Sequence, residues 1–268
     1  MIKLAAMTSV FPDWDIGEIV AGLKRHGYQG VEPRVEWDHA CGIEATLPAE
    51  ARTRIRDQFA SEGLDICCIA TSVRMATADH QERADHVEAL KGYIDLAGDL
   101  GCPLLRTFGG KRGDGELTPI VDYVADGYRQ VMEQAASRDV TVLMETHDDW
   151  CHTSPVRAVV ERVDDPRLRV LWDFMHPQRM METVAESFAA IGELTAHTHG
   201  HDGRFDSGRL EFVDWGTGTV DHSAPLRLLQ NAGFDGYFSI EIIHAPGSEY
   251  DADGVLNMYA EGFRAIGL

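Results

Sequence analysis

The feature that most constrains this chain is an alternation. Eight short runs dominated by Val, Ile, Leu and Cys, at 2–8, 30–35, 65–71, 104–109, 141–147, 168–174, 194–199 and 237–242, are separated by segments with apolar residues every three or four positions. Strands that are apolar on both faces belong to a parallel sheet covered by helices, and each parallel crossover needs a helix-sized connection. The third connecting segment carries Ala84, Val87, Leu90, Ile94, Ala97 and Leu100 on one stripe and stops at Gly101. The fourth opens with Thr118-Pro119, an N-cap and a proline at the first helical position, and runs on through Ile120, Val121, Val124, Tyr128, Val131, Met132 and Ala135. The fifth opens in the same way with Ser154-Pro155, and further helices are expected at 15–26, 48–62, 182–190, 223–232 and 253–266.

Eight βα units in 268 residues predict an α/β fold, a (β/α)8 barrel forming one domain over 1–268. A doubly wound sheet would open with a glycine-rich phosphate turn after its first strand, and Thr8-Ser9-Val10-Phe11-Pro12 is no such turn. Gly109-Gly110-Lys111-Arg112-Gly113 lacks P-loop spacing, and Gly216-Thr217-Gly218 does not continue into a dinucleotide fingerprint. The 24 basic and 44 acidic residues leave a net charge of -20, a field that repels polyphosphate, so no nucleic-acid partner is expected. Nor is a membrane, because no stretch approaches about 18 consecutive apolar residues. Five cysteines without a C-x-x-C pair, and an amino terminus unlike a secretory signal, predict a reducing, cytoplasmic setting.

In such barrels the chemistry sits where strands end and βα loops begin. The fifth predicted strand delivers Glu145, His147, Asp148 and Asp149 there. The sixth delivers Asp173 and His176, the seventh His197, His199, His201, Asp202 and Arg204, and the eighth Glu241 and His244. Several carboxylates crowded together raise one another's pKa, so a divalent cation is their natural partner. Glu145, Asp173, His199 and Glu241 are the candidate ligands of one such ion. A mainly carboxylate set favours Mn2+ or Mg2+, with Co2+, Fe2+ or Zn2+ also compatible. Period-two alternation puts His197 and His199 on the same side of their strand and does not separate them.

The succession of Glu145, W-D-x-x-H-P (172–177), H-x-x-D (199–202), G-x-G-x-x-D (216–221) and S-I-E (239–241) resembles the xylose isomerase-like TIM barrels. Within them it is similar to the sugar isomerase/epimerase branch related to ketose 3-epimerases, hydroxypyruvate isomerase and inosose dehydratase. The resemblance implies His199 as the ligand histidine and Glu145 and Glu241 as the catalytic acid/base pair. It also implies substrate contact by His176 and by an arginine after H-x-x-D, here Arg204. Glu32, in G-V-E-P-R, matches a common acid of the family and is a candidate substrate contact, though it could equally pair with Arg34. His147 is a further candidate substrate contact, and Trp14, Phe108 and Trp150 are candidate apolar walls.

On this reading the protein is a metal-dependent isomerase or epimerase of a sugar or sugar-derived ketone, acting by proton transfer through a metal-stabilised enediolate. A dehydratase of the inosose or dehydroshikimate type shares the first step and is the alternative; a non-enzymatic binding protein is remoter. A DNA-repair endonuclease on the same barrel would need histidines after strands three and four and a D-x-H motif. This chain instead has Thr71-Ser72, Phe108-Gly109 and Asp206-Ser207-Gly208 at those places. Arg74, Arg106, Lys111 and Arg112, on the loops after strands three and four, read as solvated charges rather than a phosphate grip, which favours a neutral substrate. The resemblance implies a dimer or tetramer.

Overall fold

The computed structural model describes residues 1–206 and 209–268, so Ser207 and Gly208 of the D-S-G interruption lie outside the described residues. The strands are β1 (Lys3–Met7), β2 (Gly30–Glu32), β3 (Asp65–Ile66), β4 (Ile69–Arg74), β5 (Leu104–Phe108), β6 (Thr141–Glu145), β7 (Leu168–Asp173), β8 (Thr195–Gly200), β9 (Asp202–Asp206), β10 (Arg209–Val213) and β11 (Tyr237–Ile240). All but β9 and β10 belong to one parallel sheet in the order β3-β2-β1-β11-β8-β7-β6-β5-β4. β3 and β4 are successive pieces of one barrel strand. The first pairs with β2, the second with β5, and a bridge from Arg34 to Ala70 spans the gap, so the ring closes as a TIM barrel.

Helices α1 (Ile16–His26), α2 (Ala49–Ser61), α3 (His80–Leu100), α4 (Leu117–Ser137), α5 (Thr153–Val163), α6 (Met175–Arg179), α7 (Val184–Ile191), α8 (Ser223–Asn231) and α9 (Ala252–Ile266) lie between and after the strands. The expected stripes face inward. On α4, Ile120, Val121, Val124, Tyr128, Val131, Met132 and Ala135 are all buried, each large side chain contributing roughly 1.5–3 kcal/mol. Tyr128 also bonds Thr107 of β5 through its hydroxyl at 2.7 Å, which pins helix to strand. α3 ends at Gly101, whose φ of 67° is the left-handed conformation a helix stop requires. Among the described residues no helix is long and apolar enough to cross a membrane.

Several boundaries differ from expectation. The second strand stops at Glu32 rather than residue 35, because Pro33 has no N–H to continue a ladder. The third is split at Cys67-Cys68, where its pairing passes from β2 to β5, and runs on to Arg74. α4 and α5 begin at Leu117 and Thr153, each two residues before the proline expected at the first helical position, Pro119 and Pro155. No N–H of a helix's first turn has an intrahelical partner, so a proline there does not single out the first position. The short α6 and the β9–β10 hairpin have no counterpart in the predicted pattern.

Past β2, His39 is 5% exposed with Nδ1 2.8 Å from the Thr8 hydroxyl oxygen. That oxygen also accepts the Arg34 N–H. Burial first, then the Arg34 charge, lowers the imidazole pKa from 6.5 to about 4. The unfolded chain thus takes up this proton before the folded one, and stability, complete above pH 6.5, falls as pH drops toward 4. His39→Gln should flatten that decline in urea midpoints compared between pH 7 and 4.5. An unchanged slope removes His39 from the acid response.

Candidate active site

Four neighbouring strands bring the expected ligands together. Glu145 closes β6, Asp173 closes β7 in register with His199 of β8, and His199 in turn pairs with Ser239 of β11, two residues before Glu241. Period-two alternation then turns all four side chains to the same end of the barrel interior. Glu145, Asp173 and His199 are fully buried and Glu241 is 7% exposed. Each of the four offers one ligand atom, and these atoms lie within 4.8 Å of one another.

The cluster is held by opposing charges. Burial raises the Glu241 carboxyl, but the His199 charge beside it outweighs that and brings it down to about 2. Asp173 is likewise raised by burial and lowered further by His201 and His176. Burial depresses His199, yet Glu32 and Glu241 raise its pKa well above the ordinary histidine value. Glu145 Oε2 and Asp173 Oδ2 are buried with no hydrogen-bond donor. His201 Nε2 lies 2.9 Å from Asp173 Oδ2, an ion-pair distance, but off the hydrogen-bond line. Carboxylate oxygens left unbonded in the interior beside an imidazole are a donor set that fits a divalent cation.

One residue of the site was not expected in it, and another was named at the strand end without a role. Arg106, read as a loop charge after the fourth strand, instead lies inside β5 and is fully buried. Its Nε is 3.3 Å from Glu145 Oε2 and its Nη2 is 3.9 Å from Glu241 Oε1, so it offsets part of the carboxylate charge. The signal was available, since Arg106 and Phe108 are two apart on one strand and share a face. His201, two residues past His199, is the other, and the same alternation points to it.

Around the cluster, Phe108 is half-buried, with the Arg106 guanidinium 4.0 Å above its ring centre and the His147 ring 4.6 Å away. His147 is 29% exposed and donates toward Asp148, with Nδ1 and Oδ1 2.9 Å apart. His147 stands 4.4 Å from His176, which is 3% exposed and has both ring nitrogens unpartnered. Burial lowers the His176 pKa to about 3, so its imidazole is neutral.

Other expected contacts lie elsewhere. Arg204 is exposed on β9 and donates to the Thr217 carbonyl from Nε at 2.8 Å and from Nη2 at 2.5 Å. Trp14 stacks on Phe11 at 5.1 Å and packs against Gly22 of α1, while Trp150 is fully buried against Gly109; both are packing residues. Glu32 does not pair with Arg34. It lies against His199 of the cluster and accepts from His197 and His199. Asp202 of H-x-x-D is a structural anchor, accepting the N–H groups of Gly216 and Gly218 and so holding the G-x-G loop closed.

The profile of the xylose isomerase-like TIM barrel family matches residues 20–261, and the chain belongs to that family. No curated protein sequence matches it. Among solved structures, it is similar to a probable 3-DHS dehydratase, AsbF, from Bacillus anthracis, at 18% identity and TM-score 0.79, over 98% of this chain and 99% of that one. The IOLI protein with a bound zinc atom superposes with TM-score 0.84 at 16% identity, over 99% of this chain and 98% of that one. D-allulose 3-epimerase from Methylomonas sp., in complex with D-allulose, superposes with TM-score 0.76 at 17% identity, over 98% and 96%. At these identities the likeness establishes the fold.

Proposed function

We propose that this protein is a divalent-cation-dependent isomerase or epimerase that moves a proton on the carbon beside the carbonyl of a sugar or sugar-derived ketone. The observation that carries this reading is the convergence of Glu145, Asp173, His199 and Glu241 on one small volume at the strand ends. When bound, the cation, Mn2+ or Mg2+ by the preponderance of carboxylates, supplies the charge that polarises a carbonyl and acidifies its neighbouring carbon. The three carboxylates and His199 would hold it.

Glu145 and Glu241 come from β6 and the end of β11, on opposite sides of β8 in the sheet, so one takes a proton from one face of a substrate and the other delivers a proton to the opposite face. His176, neutral and with both ring nitrogens unpartnered, binds a substrate hydroxyl. Phe108 and His147 form the wall next to it, and Arg106 balances charge as the proton moves. The zinc of the IOLI protein and the D-allulose of the Methylomonas epimerase support a metal site and a small sugar substrate on this fold. Five buried, unbridged cysteines support a reducing compartment.

A dehydratase reading has one observation of its own. His147, whose pKa burial lowers but Asp148 and Glu145 raise above the ordinary value, stands partly exposed at the cluster's edge, where it can protonate a leaving hydroxyl. Mn-loaded protein incubated in deuterated water with ketoses, short hydroxy-ketones and inososes separates the two readings by mass spectrometry. Deuterium gain at unchanged formula is the expected result for an isomerase or epimerase, and loss of one water identifies a dehydratase. A protein that binds no divalent ion and leaves the whole pool untouched would refute both.

A further inference from the structure

Against His199, one of the four candidate ligands, lies Glu32, which closes β2 and is fully buried. His197 Nε2 lies 2.9 Å from its Oε2, and His199 Nε2 lies 2.9 Å from Oε1 and 3.1 Å from Oε2. Two imidazoles therefore converge on one fully buried carboxylate. An ionised carboxylate only accepts hydrogen bonds, so each of these contacts requires a proton on the Nε2 it touches. The other nitrogen of His199, Nδ1, faces the opposite way, 3.2 Å from Glu145 Oε1 and 3.4 Å from Glu241 Oε2.

We infer that Glu32 is the positioning carboxylate of this centre. It keeps the proton on His199 Nε2, so that Nδ1, whose proton Glu145 accepts when no ion is bound, is the atom that would exchange its proton for the cation, and His197 fixes Glu32 through a second bond. The inference rests on the cation reading above and replaces the expected substrate contact of Glu32. A carboxylate behind a ligand histidine sets its tautomer and ring orientation, and loss of such a partner costs about 10–100-fold in metal affinity. Cys68 also lies close to Glu32 and His197 and is fully buried, which pushes its thiol well above the ordinary cysteine value.

The test uses the full chain and zinc or manganese chloride alone. Long-range proton–nitrogen spectra of zinc-loaded protein, with 15N-labelled imidazoles, should show His199 bound through Nδ1 and protonated at Nε2. Calorimetric titration of metal-free Glu32→Gln with Mn2+ should give an affinity about 10–100-fold below wild type, with the circular dichroism spectrum retained. Coordination through Nε2, or an affinity for Glu32→Gln within twofold of wild type, would overturn the inference. Should Glu32→Gln fail to fold, the wild-type spectrum decides alone, because a merely structural role for Glu32 does not choose between the two nitrogens. Failure of wild type itself to bind either ion would overturn the cation reading and this inference together, and so is distinguishable from failure of the inference alone.

Discussion

Glu241→Gln should cost about 10²–10⁴-fold in turnover while leaving the barrel folded, the range for loss of a positioned acid or base. The substitution keeps the side chain's size and one carbonyl oxygen but removes the negative charge. That charge faces His199 Nδ1 at 3.4 Å and Arg106 Nη2 at 3.9 Å, so its loss weakens the hold on a cation as well as on the proton. Turnover on the substrate identified in deuterated water, read beside Mn2+ titration and a thermal melt, checks the outcome. Full activity in a folded Glu241→Gln variant would remove Glu241 from the machinery and, with it, the symmetry between β6 and β11 on which the proton-transfer reading stands.

His199→Ala should weaken divalent-ion affinity by more than about 100-fold, whereas His197→Ala should weaken it by no more than about 10-fold. Both rings are fully buried, both donate to Glu32, and their centres are 5.7 Å apart, so burial and hydrogen bonding alone would predict equal effects. The difference lies in the second nitrogen. That of His199 faces Glu145 and Glu241, while Nδ1 of His197 has no hydrogen-bond partner and belongs to no cluster with those carboxylates. Parallel titrations of the two variants with Mn2+ make the comparison, and equal losses would mean that the ligand histidine has been misplaced on β8.

The barrel was legible because its signal is repeated: each strand is apolar on both faces and each helix carries one apolar stripe, a pattern few other architectures accommodate. The end of the barrel where Glu145, Asp173, His199 and Glu241 gather was legible for a related reason. Acids and histidines at the ends of successive strands stand out against apolar runs. Arg106 did not stand out, although it falls within the expected 104–109 run, because an arginine there reads with the neighbouring loop charges; its burial against Glu145 and Glu241 is what places it in the site. Arg204 failed in the opposite sense. The motif pointed to the site, but the hairpin β9–β10 carries its guanidinium to the Thr217 carbonyl.

What the sequence determined by itself is the alternation, and with it the closed parallel sheet and the strand ends at which polar side chains collect, since strand and helix periodicities are local properties of the chain. What only the tertiary structure decided is which way each polar group faces and what it meets. Glu32 and His199 are 167 residues apart. Their contact exists because ring closure sets β2 and β8 across one interior, and no local pattern encodes the distance between residues that meet only when the barrel shuts.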